Sequence, residues 1–232
     1  MPNIVFALIH ILAYNPFMSE NPPCQIYLLT PPQIGDIARF AKTLESVLIA
    51  APIGCLQIRL KNAPKDEIIT AAKTLIPLAR EHGTTVLIND NPHIALETGA
   101  DGVHLGQSDM HITNAQDLLP KGSIIGITCH NSRDLAFKAG SGGASYIAFG
   151  SFFDTPTKLG APRADLETLT WWRHAAIIPS VAIGGITVDN APHVITASAD
   201  FIALCSGVWE SKLGPAKAAA RLHHLCLQRS LD

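Results

Sequence analysis

An α/β fold, with eight β–α units closed into a single barrel, is what this sequence predicts, and three observations carry it. Short apolar runs rich in β-branched residues recur along the chain. Turn residues bound each run. Amphipathic stretches with helical spacing separate one run from the next. The runs are Gln25–Thr30, Cys55–Leu60, Thr84–Asn89, Gly102–Leu105, Ser123–Thr128, Ser145–Phe149, Ser180–Ile183 and Asp200–Leu204. Several are apolar almost throughout, as parallel strands covered on both faces are.

The intervening segments follow the same logic. In Asp36–Ile49, apolar residues fall at Ile37, Phe40, Ala41, Leu44, Val47 and Leu48, one stripe of a 3.6-residue period. Lys65–His82 ends at Gly83, a good residue for a left-handed helix end, and Pro92–Thr98 ends at Gly99. His111–Leu118, Ser132–Ala139, Asp165–His174, Val188–Ala197 and Pro215–Leu227 complete the set, with Ser132 and Thr187 as expected N-caps. Eight such units point to a (β/α)8, or TIM, barrel. The alternative is an open doubly wound sheet, weakened because no G-x-G-x-x-G follows the first strand.

Bulk properties narrow the function. A chain of 232 residues buries one sizeable core. With 47 % hydrophobic and 16 % charged residues, it is not disordered. A net charge of −2 without a basic block argues against nucleic acid as a partner. The five cysteines are odd in number, with no C-x-x-C pair and no zinc spacing, so they read as reduced thiols of a cytoplasmic protein. Ile4–Tyr14 is apolar, but no Lys or Arg precedes it and it is too short to span a bilayer. Residues 1–20 are therefore expected to be an extension outside the core, with Met1 or Met18 as the start, and residues 21–232 to be the barrel domain.

In such a barrel the residues just after each strand gather on one rim, and this turns scattered polar residues into a site. The segment Gly150–Lys158 (GSFFDTPTK) leaves a strand through a glycine into a hydroxyl-rich loop. Thr155 and Thr157 are donors for phosphate oxygens, and Lys158 adds a compact cation. Gln57, Arg59 and Lys61 alternate along the second strand, so they share a face. An inward column of this kind is costly unless it meets an anion; the alternative is a buried ion pair near the barrel mouth. Asn89 and Asp90 end the third strand, and Asp109 follows the fourth. Two carboxylates with phosphate oxygens and water suit Mg²⁺. The competing reading is helix capping, with Asp90 or Asn91 capping the Pro92 helix and Asp109 the His111 helix. Gly184-Gly185 and Cys205-Ser206-Gly207 end the last two strands, where backbone N–H groups often hold a phosphate. His82, His174, His223 and His224 fall on helices and read as solvated. His104 points inward and reads as a hydrogen-bonded core histidine, while His130 is a rim candidate for acid–base work. Trp171, Trp172 and Trp209 are expected to cover the barrel or an interface.

The segments LQIRLK, INDNPHIALETGADGVHLGQSDM, IIGIT, GSFFDTPTK, VAIGGIT and ALCSG resemble, in order and spacing, the thiamine-phosphate synthase family, over Ile26 to Trp209. The resemblance implies a transferase of thiamine biosynthesis. It would join 4-amino-2-methyl-5-pyrimidinylmethyl diphosphate to 4-methyl-5-(2-phosphoethyl)thiazole, the carboxylated form included, and release pyrophosphate. It further implies that Gln57, Arg59, Lys61, Asn89, Thr128 and Lys158 bind the pyrimidine diphosphate, with Arg59, Lys61 and Lys158 as the catalytic cations. Thr155, Thr157, Gly185, Cys205 and Ser206 would line the thiazole phosphate site, and Asp90 and Asp109 would hold Mg²⁺. The partners are small phosphorylated molecules, with a homo-oligomer open and no membrane or nucleic acid.

The chain departs from the family pattern at several places. Leu60 stands where the family has Glu, Asn91 where it often has Arg, and Thr128 where it usually has Ser. Ser151, Asp154 and Ser145 also differ. Two alternatives stay open: a thiazole tautomerase-like enzyme, for which His130 would serve as acid–base, and a non-catalytic thiamine-phosphate binding protein.

Overall fold

The computed structural model describes residues 23–154 and 163–228. In chain order the elements are β1 (Gln25–Leu29), α1 (Ile37–Ala50), β2 (Cys55–Ile58), α2 (Lys65–Glu81), β3 (Thr85–Asn89), α3 (Pro92–Thr98), β4 (Gly102–Leu105), α4 (Ile112–Leu118), β5 (Ile124–His130), α5 (Arg133–Ser141), β6 (Tyr146–Gly150), α6 (Leu166–Ala175), β7 (Ser180–Ile183), α7 (Ala191–Thr196), β8 (Phe201–Leu204), α8 (Ser206–Trp209) and α9 (Pro215–Gln228). Each strand pairs in parallel with both neighbours, and β1 pairs with β8 to close the barrel. The expected TIM barrel is the fold found. The extension expected over residues 1–20 lies outside the described residues.

Alternation along each strand separates two apolar layers. Ile26, Leu28, Leu56, Ile58, Val103 and Leu105 point outward and pack under the helices. Tyr27, Leu29, Cys55, Leu87, Ile124, Tyr146, Ala148, Val181, Phe201 and Ala203 point inward and fill the barrel. This is the layered packing that a (β/α)8 interior requires. Leu60 is buried in the outer layer, as part of the helix–sheet packing.

Helix starts follow side-chain chemistry. The Asp36 carboxylate accepts from the N–H groups of Ala38 and Arg39 at 2.9 and 3.0 Å. Ser132 Oγ accepts from Leu135 N–H at 3.2 Å, as the sequence predicts. Thr187 does not cap the seventh unit's helix. That helix begins at Ala191 after Asn190, and Asn190 Oδ1 instead accepts from Thr187 N–H at 2.8 Å. Pro192 in the first turn explains the later start, since proline suits a helix N-terminus and not its interior. Strand β5 runs two residues beyond expectation, with a register shift between Thr128 and His130. Trp172 is fully buried, and Trp209 Nε1 donates to Leu29 O at 2.6 Å, tying α8 to the end of β1.

Candidate active site

A cavity of about 520 Å³ opens at the C-terminal ends of the strands. Its wall brings together Gln57, Arg59, Asn89, Asp90, Asp109, Thr128, Gly185, Cys205 and Ser206, with His104, His130 and Gly184 beside them. Lys61 does not line it. Strand β2 stops at Ile58, and the chain turns at Lys61 and Asn62, where Asn62 has φ 58°. The Lys61 side chain is exposed, and its backbone N–H donates to Pro32 O at 2.9 Å. The expected column is thus two residues deep, Gln57 and Arg59. Thr155, Thr157 and Lys158 lie outside the described residues.

The two carboxylates are not helix caps. Asn91 takes that role for α3, its Oδ1 accepting from Ile94 N–H at 3.1 Å. This leaves Asp90 facing the cavity from a left-handed backbone, φ 63°, a conformation that non-glycine residues adopt at a cost. Helix α4 starts at His111 without a side-chain cap, and Asp109 instead accepts from Gly106 N–H at 2.6 Å, within its own loop. Burial, and then the hydrogen-bonded and charged neighbour Asp109, push the Asp90 carboxyl up to about 6; Arg59 and Asn89 pull in the other direction. The raised Asp90 carboxyl, with Asp109 beside it, forms a site that a divalent cation would relieve. Among the described residues no cluster of three or more His, Cys, Asp or Glu side chains exists. A metal here would draw its remaining ligands from substrate oxygens and water, as Mg²⁺ does.

The floor of the cavity is polar in a way the sequence reading missed. Gln57 donates from Nε2 to Asn89 Oδ1 and accepts from Tyr27 Oη at 2.9 Å. Tyr27 and Tyr146 share a hydrogen bond of 2.8 Å. His104 joins Tyr146 through Nδ1 and Thr128 through Nε2, each at 2.8 Å. His104 is the satisfied core histidine that was expected. Burial, aided by Arg59, pushes it down to about 4, so it is neutral at pH 7. The available signal was two tyrosines on inward positions of strands β1 and β6.

The opposite wall depends on glycine. Gly184 and Gly185 have φ of +106° and +65°. A Cβ on the first would overlap Ser151, and on the second Phe153 and the Asp154 carbonyl. The pair therefore lets the loop after β6 lie against the end of β7, where Phe153 N–H donates to Gly184 O at 3.0 Å. Cys205 Sγ contacts Thr30 O at 3.5 Å, and burial raises its thiol pKa. It is a wall residue, not a nucleophile. His130 lines the rim with φ 52°, beside the irregularity in β5.

Comparison with known proteins agrees with this geometry. The family model for thiamine monophosphate synthase matches residues 26–208. A thiamine-phosphate synthase of Rhodospirillum centenum is 47 % identical over 197 residues, covering 85 % of this chain and 95 % of that one. The Hyphomonas neptunium thiamine-phosphate synthase is 47 % identical over 211 residues, covering 88 % and 95 %. The solved thiamine phosphate pyrophosphorylase of Pyrococcus furiosus superposes with a TM-score of 0.79 at 33 % identity, covering 88 % of this chain and 96 % of the other. The chain belongs to the thiamine monophosphate synthase family of transferases.

Proposed function

We propose that this protein condenses 4-amino-2-methyl-5-pyrimidinylmethyl diphosphate with 4-methyl-5-(2-phosphoethyl)thiazole, or its carboxylated form, to give thiamine phosphate and pyrophosphate in the cytoplasm. The observation that carries this reading is the Asp90–Asp109 pair on the same cavity wall as Arg59. A metal-bound diphosphate would settle both charges at once. Asp90 and Asp109 would hold Mg²⁺, which would supply positive charge for a pyrophosphate leaving group.

The chain's own groups supply the remainder. Arg59 is half-buried, where a guanidinium interacts more strongly than in water, and its planar fork fits phosphate oxygens. Lys61 and Lys158 would add charge from the rim. Gln57, Asn89 and Thr128 on the floor would orient the aminopyrimidine, whose electron-rich ring stabilises the methylene cation left by pyrophosphate. Gly185, Ser206 and Cys205, with Thr155 and Thr157, would hold the thiazole phosphate so that the ring nitrogen stands behind that carbon. No side-chain nucleophile is needed. A tautomerase would leave the carboxylate pair without a task.

The test is a coupled assay following pyrophosphate and thiamine phosphate. Product should require both substrates and disappear with EDTA, and Asp90→Ala and Lys158→Ala should each abolish turnover. Full activity in both variants would sink the synthase reading. Tight thiamine-phosphate binding without turnover in the unaltered protein would favour the binding-protein alternative.

A further inference from the structure

The floor hydrogen bonds form one unbroken chain, and the chain has a direction. At the cavity end of the chain, Asn89 turns its amide oxygen Oδ1 toward Gln57. Oδ1 accepts from Gln57 Nε2. That orientation turns Gln57 Oε1 toward Tyr27, and Tyr27 Oη–H donates to it at 2.9 Å. Having spent its proton there, Tyr27 can only accept from Tyr146, across 2.8 Å. Tyr146 Oη has then spent its proton too, and must accept from His104 Nδ1. The buried His104 ring faces hydroxyls with both nitrogens and, among the described residues, has no carboxylate against either, so with its one proton on Nδ1 the Nε2 atom accepts from the Thr128 hydroxyl at 2.8 Å.

We propose that this one-way chain holds His104 as the Nδ1–H tautomer and leaves Thr128 facing the cavity with lone pairs only, so that the floor selects a ring substituent that donates a hydrogen bond. Tyr27, Tyr146 and His104 are positioning residues in this scheme. Tyr27 and Tyr146 are almost wholly buried and absent from the cavity wall, so they act through the groups they orient. The specificity part rests on the function proposed above. An amino group on the pyrimidine meets an acceptor at Thr128. A carbonyl oxygen at the same ring position would meet lone pairs, and the buried oxygen would stay unpaired.

The alternative is a rigid polar core without functional direction. It is separated by one substitution away from the cavity. Tyr27→Phe removes the acceptor for Tyr146. The buried Tyr146 hydroxyl then finds a partner only by donating to His104 Nδ1. This drives the imidazole proton to Nε2, which donates to Thr128 and reverses the polarity of the floor.

The experiment is ¹⁵N NMR of histidine-labelled protein, without substrate or metal. The His104 signal would be picked out of the ten histidines by its loss in His104→Gln. The expected result is Nδ1–H in the unaltered protein and Nε2–H in Tyr27→Phe. An Nε2–H tautomer in the unaltered protein, or an unchanged tautomer in Tyr27→Phe, would overturn the proposal. A second arm measures binding of the pyrimidinylmethyl diphosphate and its 4-oxo analogue by calorimetry. The unaltered protein should prefer the amino form by at least about tenfold, and Tyr27→Phe should lose most of that preference. If the tautomer switches while the preference stays, the selectivity claim is wrong. If neither pyrimidine binds although the tautomers are as expected, the proposed function fails and the selectivity claim falls with it.

Discussion

Gly126→Ala is a substitution of one methyl group, and it should be among the most damaging in the barrel. Gly126 sits on β5 opposite Tyr146 in the register of β6. A Cβ there would overlap Cζ, Oη and Cε1 of the Tyr146 ring. The ring cannot swing aside cheaply. It is buried, stands edge-on to Tyr27 at 5.9 Å, and is hydrogen-bonded on both sides, to Tyr27 and His104. Forcing a methyl group into a packed interior costs ~1–3 kcal/mol. Two broken buried hydrogen bonds add ~0.5–1.5 kcal/mol each. The expected total is about 2–6 kcal/mol, a shift of roughly 1–2 M in the urea midpoint for a chain of this size. A double-mutant cycle tests the cause. In a Tyr146→Ala background the clash is gone, and Gly126, which lacks a positive φ, should accept alanine at little cost or with ~0.4–1 kcal/mol of stabilisation. The coupling between the two sites should exceed about 2 kcal/mol. Equal costs of Gly126→Ala in both backgrounds would refute the argument that the glycine exists to seat Tyr146.

Three further predictions follow from particular geometries. The Asp90 carboxyl is pushed up to about 6 in the folded chain, above its ordinary 3.8. The metal-free protein therefore carries extra stability below about pH 4 and loses it as the pH rises through 6. Asp90→Asn, which also suits φ 63°, should raise Tm at pH 7–8 and flatten that pH dependence while abolishing turnover; a lower Tm at pH 8 would contradict this. Asn91→Ala removes the cap of the short helix α3 and should cost ~1 kcal/mol in urea titrations, and a neutral result would return the capping role to Asp90. Gly185→Ala combines a left-handed φ with overlap on Phe153 and Asp154. It should destabilise the fold by ~1–3 kcal/mol and weaken thiazole phosphate binding in the coupled assay. Binding at the unaltered affinity would remove Gly185 from the proposed phosphate wall.

The strands were legible because a parallel barrel asks for the pattern a sequence carries best, short β-branched runs between turns. Their ends were less so. Whether Lys61 stays in line with Gln57 and Arg59 depends on where β2 stops, and Leu60, buried in the outer layer, reads the same in a strand or just past one. The carboxylate pair was ambiguous in sequence, because Asp90 and Asn91 are both good caps. Only the backbone decides which one turns to the helix, and the left-handed φ of Asp90 assigns the cap to Asn91. The floor was invisible for a different reason. Tyr27, Gln57, His104 and Tyr146 are separated by up to 119 residues, and each alone looks like an isolated polar residue in an apolar strand. No local spacing records that closure of the barrel brings them together.

That closure also explains why a buried polar chain is tolerated in so apolar an interior. An unpaired hydroxyl or imidazole at this depth would cost ~1–3 kcal/mol, so the chain is stable only when every link is made. Tyr27 and Tyr146 come from strands on different sides of the barrel, and they meet over the space that Gly126 leaves empty. Below them Ile124, Val181 and Phe201 keep the interior apolar, around a small cavity of about 30 Å³ that both tyrosines line. Above them the chain ends on two cavity residues, Asn89 and Thr128. A change anywhere along it must therefore reach the cavity floor as a reoriented donor or acceptor, even when the altered residue never touches a ligand. On this argument Tyr146→Phe should impair pyrimidine binding more than an apolar truncation of similar stability cost in the outer layer, such as Ile147→Val. Comparable affinities in two variants matched for urea midpoint would show that the polar chain serves stability alone.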